Sequence, residues 1–190
     1  MIIVRIPLST KIFTISNVLT VMRIVCAPII VAALWARWWR ASFLLFILAA
    51  GTDLLDGYLA RLLNEPTVLG TYLDPLADKI LVSSCFSTLW LIQFPSLPIP
   101  WWFVGVVLGR ELLLILGGIY LVRRGVGAAV RPSRGGKVTM AGYSLLIVWI
   151  FACYFGDWQP VRTYYCVLMI VTTLSLYSLG GYCRRAWRAL

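Results

Sequence analysis

The sequence predicts an all-α, polytopic membrane protein, with six transmembrane helices preceded by a short amphipathic N-terminal segment. Three observations predict it. The 190 residues are 61% hydrophobic and only 13% charged, where soluble domains carry about a quarter charged residues, and mean hydropathy is +0.89. The apolar residues fall into six runs, each close to the roughly 20 residues that a helix needs to cross a bilayer. The basic residues collect at alternate junctions between those runs, as expected when Lys and Arg stay on the cytoplasmic side. Six spans use up the chain, so residues 1–190 are read as a single membrane domain.

Each element follows in order. Ile2, Ile3, Ile6, Ile12 and Phe13 are apolar with Arg5 and Lys11 among them. Arg5 and Pro7 break that run, so it reads as a segment lying on the membrane surface rather than as a signal peptide. The first span is expected over Ile15–Trp35. Arg37-Trp38-Trp39-Arg40 then forms an interfacial hinge, and the second span runs from Ala41 to about Leu63. Asn64 to Leu69, with Pro66, breaks the helix. A third span covers about Thr71–Gln93. Pro95, Pro98 and Pro100 make a short loop, with Trp101 and Trp102 at headgroup depth. The fourth span is about Phe103–Val122. A basic, Gly-rich connector from Arg123 to Gly136 holds Pro132. The fifth span is about Val138–Phe155, Gly156–Pro160 turns the chain, and the sixth is about Val161–Leu179. No internal repeat or inverted-repeat signal appears.

Counting cations sets the orientation. On six spans, Arg5, Lys11, Arg61, Arg123, Arg124, Arg131, Arg134, Lys137, Arg184, Arg185 and Arg188 share one side, while Arg37, Arg40 and Arg162 lie on the other. Eleven against three puts both termini in the cytoplasm, together with the loop after Leu63. The net charge of +10 is accounted for by anionic lipid headgroups, with no need of nucleic acid. Histidine is absent, which excludes imidazole acid–base chemistry and His-ligated metals. Cys26, Cys85, Cys153, Cys166 and Cys183 form no C-x-x-C pair, and read as small packing residues rather than a disulfide or zinc framework.

Against this background the acidic residues stand out. The chain has seven, and five of them lie between Asp53 and Asp78. Asp53-Leu-Leu-Asp56-Gly57-Tyr-Leu-Ala60-Arg61 is followed after eight residues by Gly70-Thr-Tyr-Leu-Asp74-Pro-Leu-Ala-Asp78. Carboxylates in apolar sequence are costly unless paired or bound to metal, which makes them candidate functional residues. Asp53 and Asp56 are three apart and Asp74 and Asp78 four apart, so each pair shares a helix face. The break at Pro66 turns the chain back and brings the two faces together. Four converging carboxylates repel unless neutralised, and all-oxygen ligands suit hard divalent cations such as Mg²⁺, Mn²⁺ or Ca²⁺. Two such ions can clamp a diphosphate for in-line transfer. Gly57, Ala60 and Gly70 admit a flat ligand such as a nucleobase to the helix backbone, or equally allow the helices to pack closely. Arg61 can hold a phosphate, or simply extend to the interface.

The eight positions Asp53, Asp56, Gly57, Ala60, Arg61, Gly70, Asp74 and Asp78 match, without gap or substitution, the pattern D-x2-D-G-x2-A-R-x8-G-x3-D-x3-D. The chain thereby resembles the CDP-alcohol phosphatidyltransferases, whose six-span pattern it also follows. The resemblance implies transfer of a substituted phosphate from a CDP-linked donor to an alcohol, with release of CMP. It implies two divalent cations, Mg²⁺ or Mn²⁺, on Asp53, Asp56, Asp74 and Asp78, with Asp78 also the general base for the acceptor hydroxyl. It places Gly57, Ala60 and Gly70 against cytidine and implies a homodimer. Asn17, Thr20 and Arg23 match an N-x2-[ST]-x2-R pattern that precedes the signature in related enzymes, and on one helix face they reach toward the donor diphosphate. A helix start at Asn17 with a snorkelling Arg23 is the plainer alternative.

Arg110 and Glu111 sit midway along the fourth span, where charge is costly. Either they pair with another span, or Arg110 faces an anionic substrate in a polar cavity. Lys137 opens the fifth span, with Arg131 and Arg134 just before it, and this cation cluster suits an acceptor bearing a phosphate. Gly109-Arg110-Glu111-Leu and Gly136-Lys137-Val-Thr139 resemble the branch that makes phosphatidylglycerophosphate, which implies Arg110 and Lys137 as acceptor ligands. Leu73–Lys79 is shared with the cardiolipin synthases, and Arg131–Lys137 resembles that branch. Where both branches usually have a Gln, this chain has Met140-Ala-Gly-Tyr143. The expectation is therefore CDP-diacylglycerol as donor and sn-glycerol 3-phosphate as acceptor, with phosphatidylglycerol, giving cardiolipin, second. A divalent-cation transporter is the competing class. It is disfavoured because the spans after the fourth are nearly uncharged.

Overall fold

The computed structural model describes residues 15–63, 68–124 and 134–189, and among these the side chains of 21–52, 76–121, 123–124 and 135–188. The expected N-terminal amphipathic segment, the break around Pro66 and the connector holding Arg131 lie outside the described residues.

Long apolar sequence with few breakers folds as helix because hydrocarbon leaves the backbone no partner but itself. Six helices result: α1 (Ile15–Trp35), α2 (Trp39–Leu63), α3 (Val68–Leu91), α4 (Trp101–Arg123), α5 (Arg134–Phe155) and α6 (Val161–Ala189). No strand occurs among the described residues. Two helix ends extend well past the expected apolar runs. α5 begins at Arg134 rather than Val138, and α6 continues beyond Leu179 to Ala189, carrying the exposed Arg184, Arg185 and Arg188. Hydropathy marks membrane depth, whereas backbone hydrogen bonding continues into the interface, where long cationic side chains extend to water.

Trp101–Leu121, Gly135–Phe155 and Val161–Arg188 are long and apolar enough to cross a membrane, while the apolar stretches described in α1 and α2, Val21–Trp35 and Trp39–Thr52, are shorter.

Two compact units divide the chain, Met1–Cys85 and Phe86–Leu190. In the first, α1 buries Ala27, Ile30, Ala33 and Leu34, and α2 buries Ser42, Phe46 and Ala49. These positions recur every three or four residues, so each set forms one face, and α1 packs on α2. Alanines on both faces let two backbones approach where lipid provides no hydrophobic drive. In the second unit, α6 packs against α4 and α5. Phe86, Phe103 and Tyr143 meet edge to face at centroid distances of 5.3–6.2 Å, a geometry that adds about 0.5–1.5 kcal/mol per pair to area burial. The Tyr164 hydroxyl donates to the Pro98 carbonyl at 3.1 Å, tying the start of α6 to the turn before α4. Outward faces of α4 (Leu112, Leu113, Leu116, Ile119) and α6 (Met169, Ile170, Leu176, Tyr177) expose large apolar side chains. Such surface is a liability in water and matches lipid.

Helices α1, α3 and α5 end alike. Arg37 (φ 58°), Gln93 (φ 47°) and Asp157 (φ 51°) take the left-handed conformation. In each case the next residue's N–H reaches back five residues: Trp38 to Ala33, Phe94 to Leu89 and Trp158 to Cys153, at 2.9–3.1 Å. The left-handed residue itself donates to the carbonyl three before it. These two bonds satisfy the orphan carbonyls of the last turn. Every residue after the cap is aromatic, and Phe94 is buried. At the other ends, the Pro100 carbonyl accepts from Phe103 and Val104, and the Pro160 carbonyl from Tyr164, so each proline begins a helix at a site where no donor is needed.

Candidate active site

The acidic motif is carried by two consecutive helices. Asp53, Asp56, Gly57, Ala60 and Arg61 lie in α2, and Gly70, Asp74 and Asp78 in α3. The expected helical spacing is therefore present in the backbone of both. Asn17, Thr20 and Arg23 follow one another along α1. Of these eleven residues, the described side chains are those of Arg23 and Asp78.

Those two meet. Arg23 Nη1 donates to Asp78 Oδ1 at 2.6 Å, across 55 residues of sequence. A charge-assisted bond of this length is among the stronger polar contacts a protein makes. The Arg23 side chain is fully sealed while the Asp78 side chain is 29% exposed. Arg23 was expected on the donor diphosphate, whereas here its guanidinium is engaged by a carboxylate of the motif.

The second unit holds a separate polar cluster. Arg110 and Glu111, buried on α4, pair with each other: Arg110 Nη1 donates to Glu111 Oε1. Arg110 Nη2 lies 3.5 Å from Ser178 Oγ on α6. The Arg110 guanidinium also sits 5.9 Å from the centroid of the Tyr143 ring, within cation–π range. The Tyr143 hydroxyl shares a 2.7 Å hydrogen bond with Ser175. The expected pairing with another span is not what is observed: the ion pair lies within α4, with Tyr143 and Ser178 as polar neighbours.

Ser178 also links this cluster to the start of α5. A Cβ on Gly135 would stand in ordinary contact with Ser178, 3.4 Å from its Oγ, so α5 begins against α6 there. Two residues on, Lys137 is exposed in the first turn, and Thr139 is buried with its hydroxyl donating to the Gly135 carbonyl at 2.8 Å. Arg134 is the first residue of α5; its side chain, like the whole of Arg131, lies outside the described residues. Arg110 and the α5 start are thus brought together through Ser178.

Sequence reading missed Ser175, Ser178 and the role of Tyr143. A signal was present: Ser175, Ser178 and Tyr182 are spaced i, i+3, i+7 along an apolar helix, which places three polar groups on one face.

Acidic residues at helical spacing on two consecutive helices, in a chain with three further helices long and apolar enough to cross a membrane, fit the class of membrane-associated enzymes. Residues 13–177 match the family model of the CDP-alcohol phosphatidyltransferases, and the chain belongs to that family. It is 34% identical over 174 residues to the CDP-diacylglycerol–glycerol-3-phosphate 3-phosphatidyltransferase of Aquifex aeolicus, covering 87% of this chain and 94% of that protein. It is 30% identical over 203 residues to CDP-diacylglycerol–glycerol-3-phosphate 3-phosphatidyltransferase 2 of Arabidopsis thaliana, covering 96% of this chain and 84% of that one. A cardiolipin synthase (CMP-forming)/mitochondrial hydrolase fusion protein of Schizosaccharomyces pombe is 37% identical over 115 residues, 60% of this chain and 19% of the fusion.

Proposed function

We propose that the chain is an integral membrane phosphatidyltransferase that moves the phosphatidyl group of CDP-diacylglycerol onto sn-glycerol 3-phosphate and releases CMP. The observation that carries this reading is the unbroken eight-position motif from Asp53 to Asp78, set on consecutive helices. The choice of acceptor draws support from the Aquifex and Arabidopsis relatives, whose names specify that donor and acceptor and which match most of the chain.

In this reading Asp53, Asp56, Asp74 and Asp78 would hold two divalent cations, Mg²⁺ or Mn²⁺, because a donor set of carboxylates alone suits hard ions. Bound there, the ions would supply positive charge to the diphosphate and to departing CMP. Asp78 takes the proton of the acceptor hydroxyl as its oxygen bonds to the phosphatidyl phosphorus and the bond to CMP breaks. Gly57, Ala60 and Gly70 make room for cytidine against the backbone, and Asn17, Thr20 and Arg61 serve the donor phosphates. Arg110, Lys137, Arg131 and Arg134 form the acceptor side. Arg110 Nε is buried and has no hydrogen-bond partner among the described residues, which suits an anionic guest. Lys137 stands in the first turn of α5, where helix amides favour anions. Six spans, a homodimer, cytoplasmic termini and a site open to the cytoplasm complete the proposal. Phosphatidylglycerol as acceptor, giving cardiolipin, is the second reading, favoured by the match to the fission-yeast fusion protein.

The test is purified protein with CDP-diacylglycerol, Mg²⁺ or Mn²⁺ and a panel of acceptors, scored by CMP release and lipid product. Glycerol 3-phosphate should give the fastest release. Release only with phosphatidylglycerol moves the protein to the second reading, and no release with any acceptor sinks both.

A further inference from the structure

We propose that Arg23 is the positioning residue of Asp78: a guanidinium on α1 that fixes the direction of the carboxylate on α3, rather than a ligand of the donor diphosphate. This role rests on Asp78 being the proton acceptor of the reaction proposed above.

Burial is the first argument. The side chain of Arg23 has no exposed surface, whereas that of Asp78 is 29% exposed. Here the guanidinium is the sealed member of the pair and the carboxylate is the open one.

Bond geometry is the second. The terminal torsion of an Asp side chain moves in a broad, twofold well. A 2.6 Å bond from Arg23 Nη1 to Oδ1 removes that freedom and leaves the carboxylate aimed. Placement matters for proton transfer, since a displacement of about 1 Å can cost on the order of 10²-fold in rate.

The third argument is that Arg23 is itself held. One to three turns further along α1, Ala27, Ile30, Ala33 and Leu34 are buried, and α1 packs on α2. Beside Arg23, the side chains of Met22, Cys26, Leu45, Leu48, Ala49 and Thr52 wall a small groove. These walls confine the guanidinium on the side away from Asp78 and limit the rotamers open to it. The packing of α1 on α2 is thereby converted into the orientation of a group on α3.

The test uses the full-length protein in detergent with Arg23→Gln and Arg23→Lys. Turnover is read as kcat for CMP release, donor affinity as Kd from titration with CDP-diacylglycerol, and folding from the melting transition. For Arg23→Gln, kcat should fall on the order of 10²-fold while the donor Kd stays within about threefold of wild type. Lys restores the charge without the planar fork, so Arg23→Lys should recover about tenfold of that loss. Arg23→Lys keeps the buried cation, and it decides the matter if Arg23→Gln shows no melting transition: kcat down about tenfold at unchanged donor Kd upholds the role. Donor Kd weakened as much as kcat is lowered overturns it, as does a Lys variant with wild-type kcat or one no better than Gln. A wild-type protein that releases no CMP removes the reaction and this role with it. An active wild type whose variants lose only donor affinity removes the role alone.

Discussion

Among the described residues are two guanidinium–carboxylate pairs built in opposite ways. Arg23 and Asp78 come from helices 55 residues apart, and Asp78 keeps an open face. Arg110 and Glu111 are neighbours on α4, and Glu111 is only 7% exposed. A sealed pair contributes little net stability because desolvation offsets attraction, yet removing one member is expensive. The closed pair therefore neutralises charge and holds a shape, while the open pair has a carboxylate left to act. Substitutions at the two pairs and beside them separate these roles.

The largest effect is expected from breaking the open pair at its working end. Asp78→Asn should cut CMP release by on the order of 10²–10⁴-fold, the usual contribution of a general base, while donor binding is retained in a titration. Turnover like wild type in that variant takes the base role from Asp78. Next comes the closed pair. Glu111→Gln strands the Arg110 charge and should destabilise the fold by about 3–5 kcal/mol in denaturation measured in detergent. Replacing both residues with Met should recover most of that stability while the acceptor KM still rises steeply. A double variant as unstable as the single one would mean that the stranded charge was not the cause.

A smaller effect belongs to the polar neighbours of the closed pair. Tyr143→Phe keeps the ring under Arg110 and removes the hydroxyl shared with Ser175. It should cost about 1 kcal/mol, the net worth of an ordinary buried hydrogen bond, with the acceptor KM changed little. A large rise in that KM would bring Tyr143 into direct contact with substrate. The smallest effect has the opposite sign. Gln93→Gly relieves a left-handed backbone at the end of α3 and should raise stability by about 0.5–1 kcal/mol in the same denaturation measurement. A loss there would mean that the Gln side chain contributes more than its backbone costs.

The same contrast explains what could be read from the chain alone. Six helices were legible because apolar runs of membrane length have one way to satisfy their backbone, and α2, α4 and α6 begin within two residues of the expected positions. The ends of α5 and α6 were not, because an interfacial turn rich in Arg looks like a loop to hydropathy. Adjacent charges made Arg110 and Glu111 conspicuous, though their pairing with one another was not foreseen. Arg23 read as a donor ligand because its spacing from Asn17 and Thr20 is a property of α1 alone. Its contact with Asp78 depends on how α1 meets α3, which no local pattern encodes. Ser175 and Ser178 were passed over because single serines are ordinary in apolar helices, and their shared face acquires meaning only once Arg110 is seen beside it.

The closed pair also has a history during synthesis. A lone cation or carboxylate at the centre of an inserting helix costs about 2.5–3.5 kcal/mol on insertion scales. Arg110 and Glu111 emerge from the ribosome one after the other, so α4 carries its own counter-ion as it enters the bilayer and needs no other helix to be present. Arg23 has no such neighbour. At about 5–20 residues per second, its partner 55 residues downstream is made several seconds later. The Arg23–Asp78 bond is thus a late event, one that can form only once α3 has been synthesised.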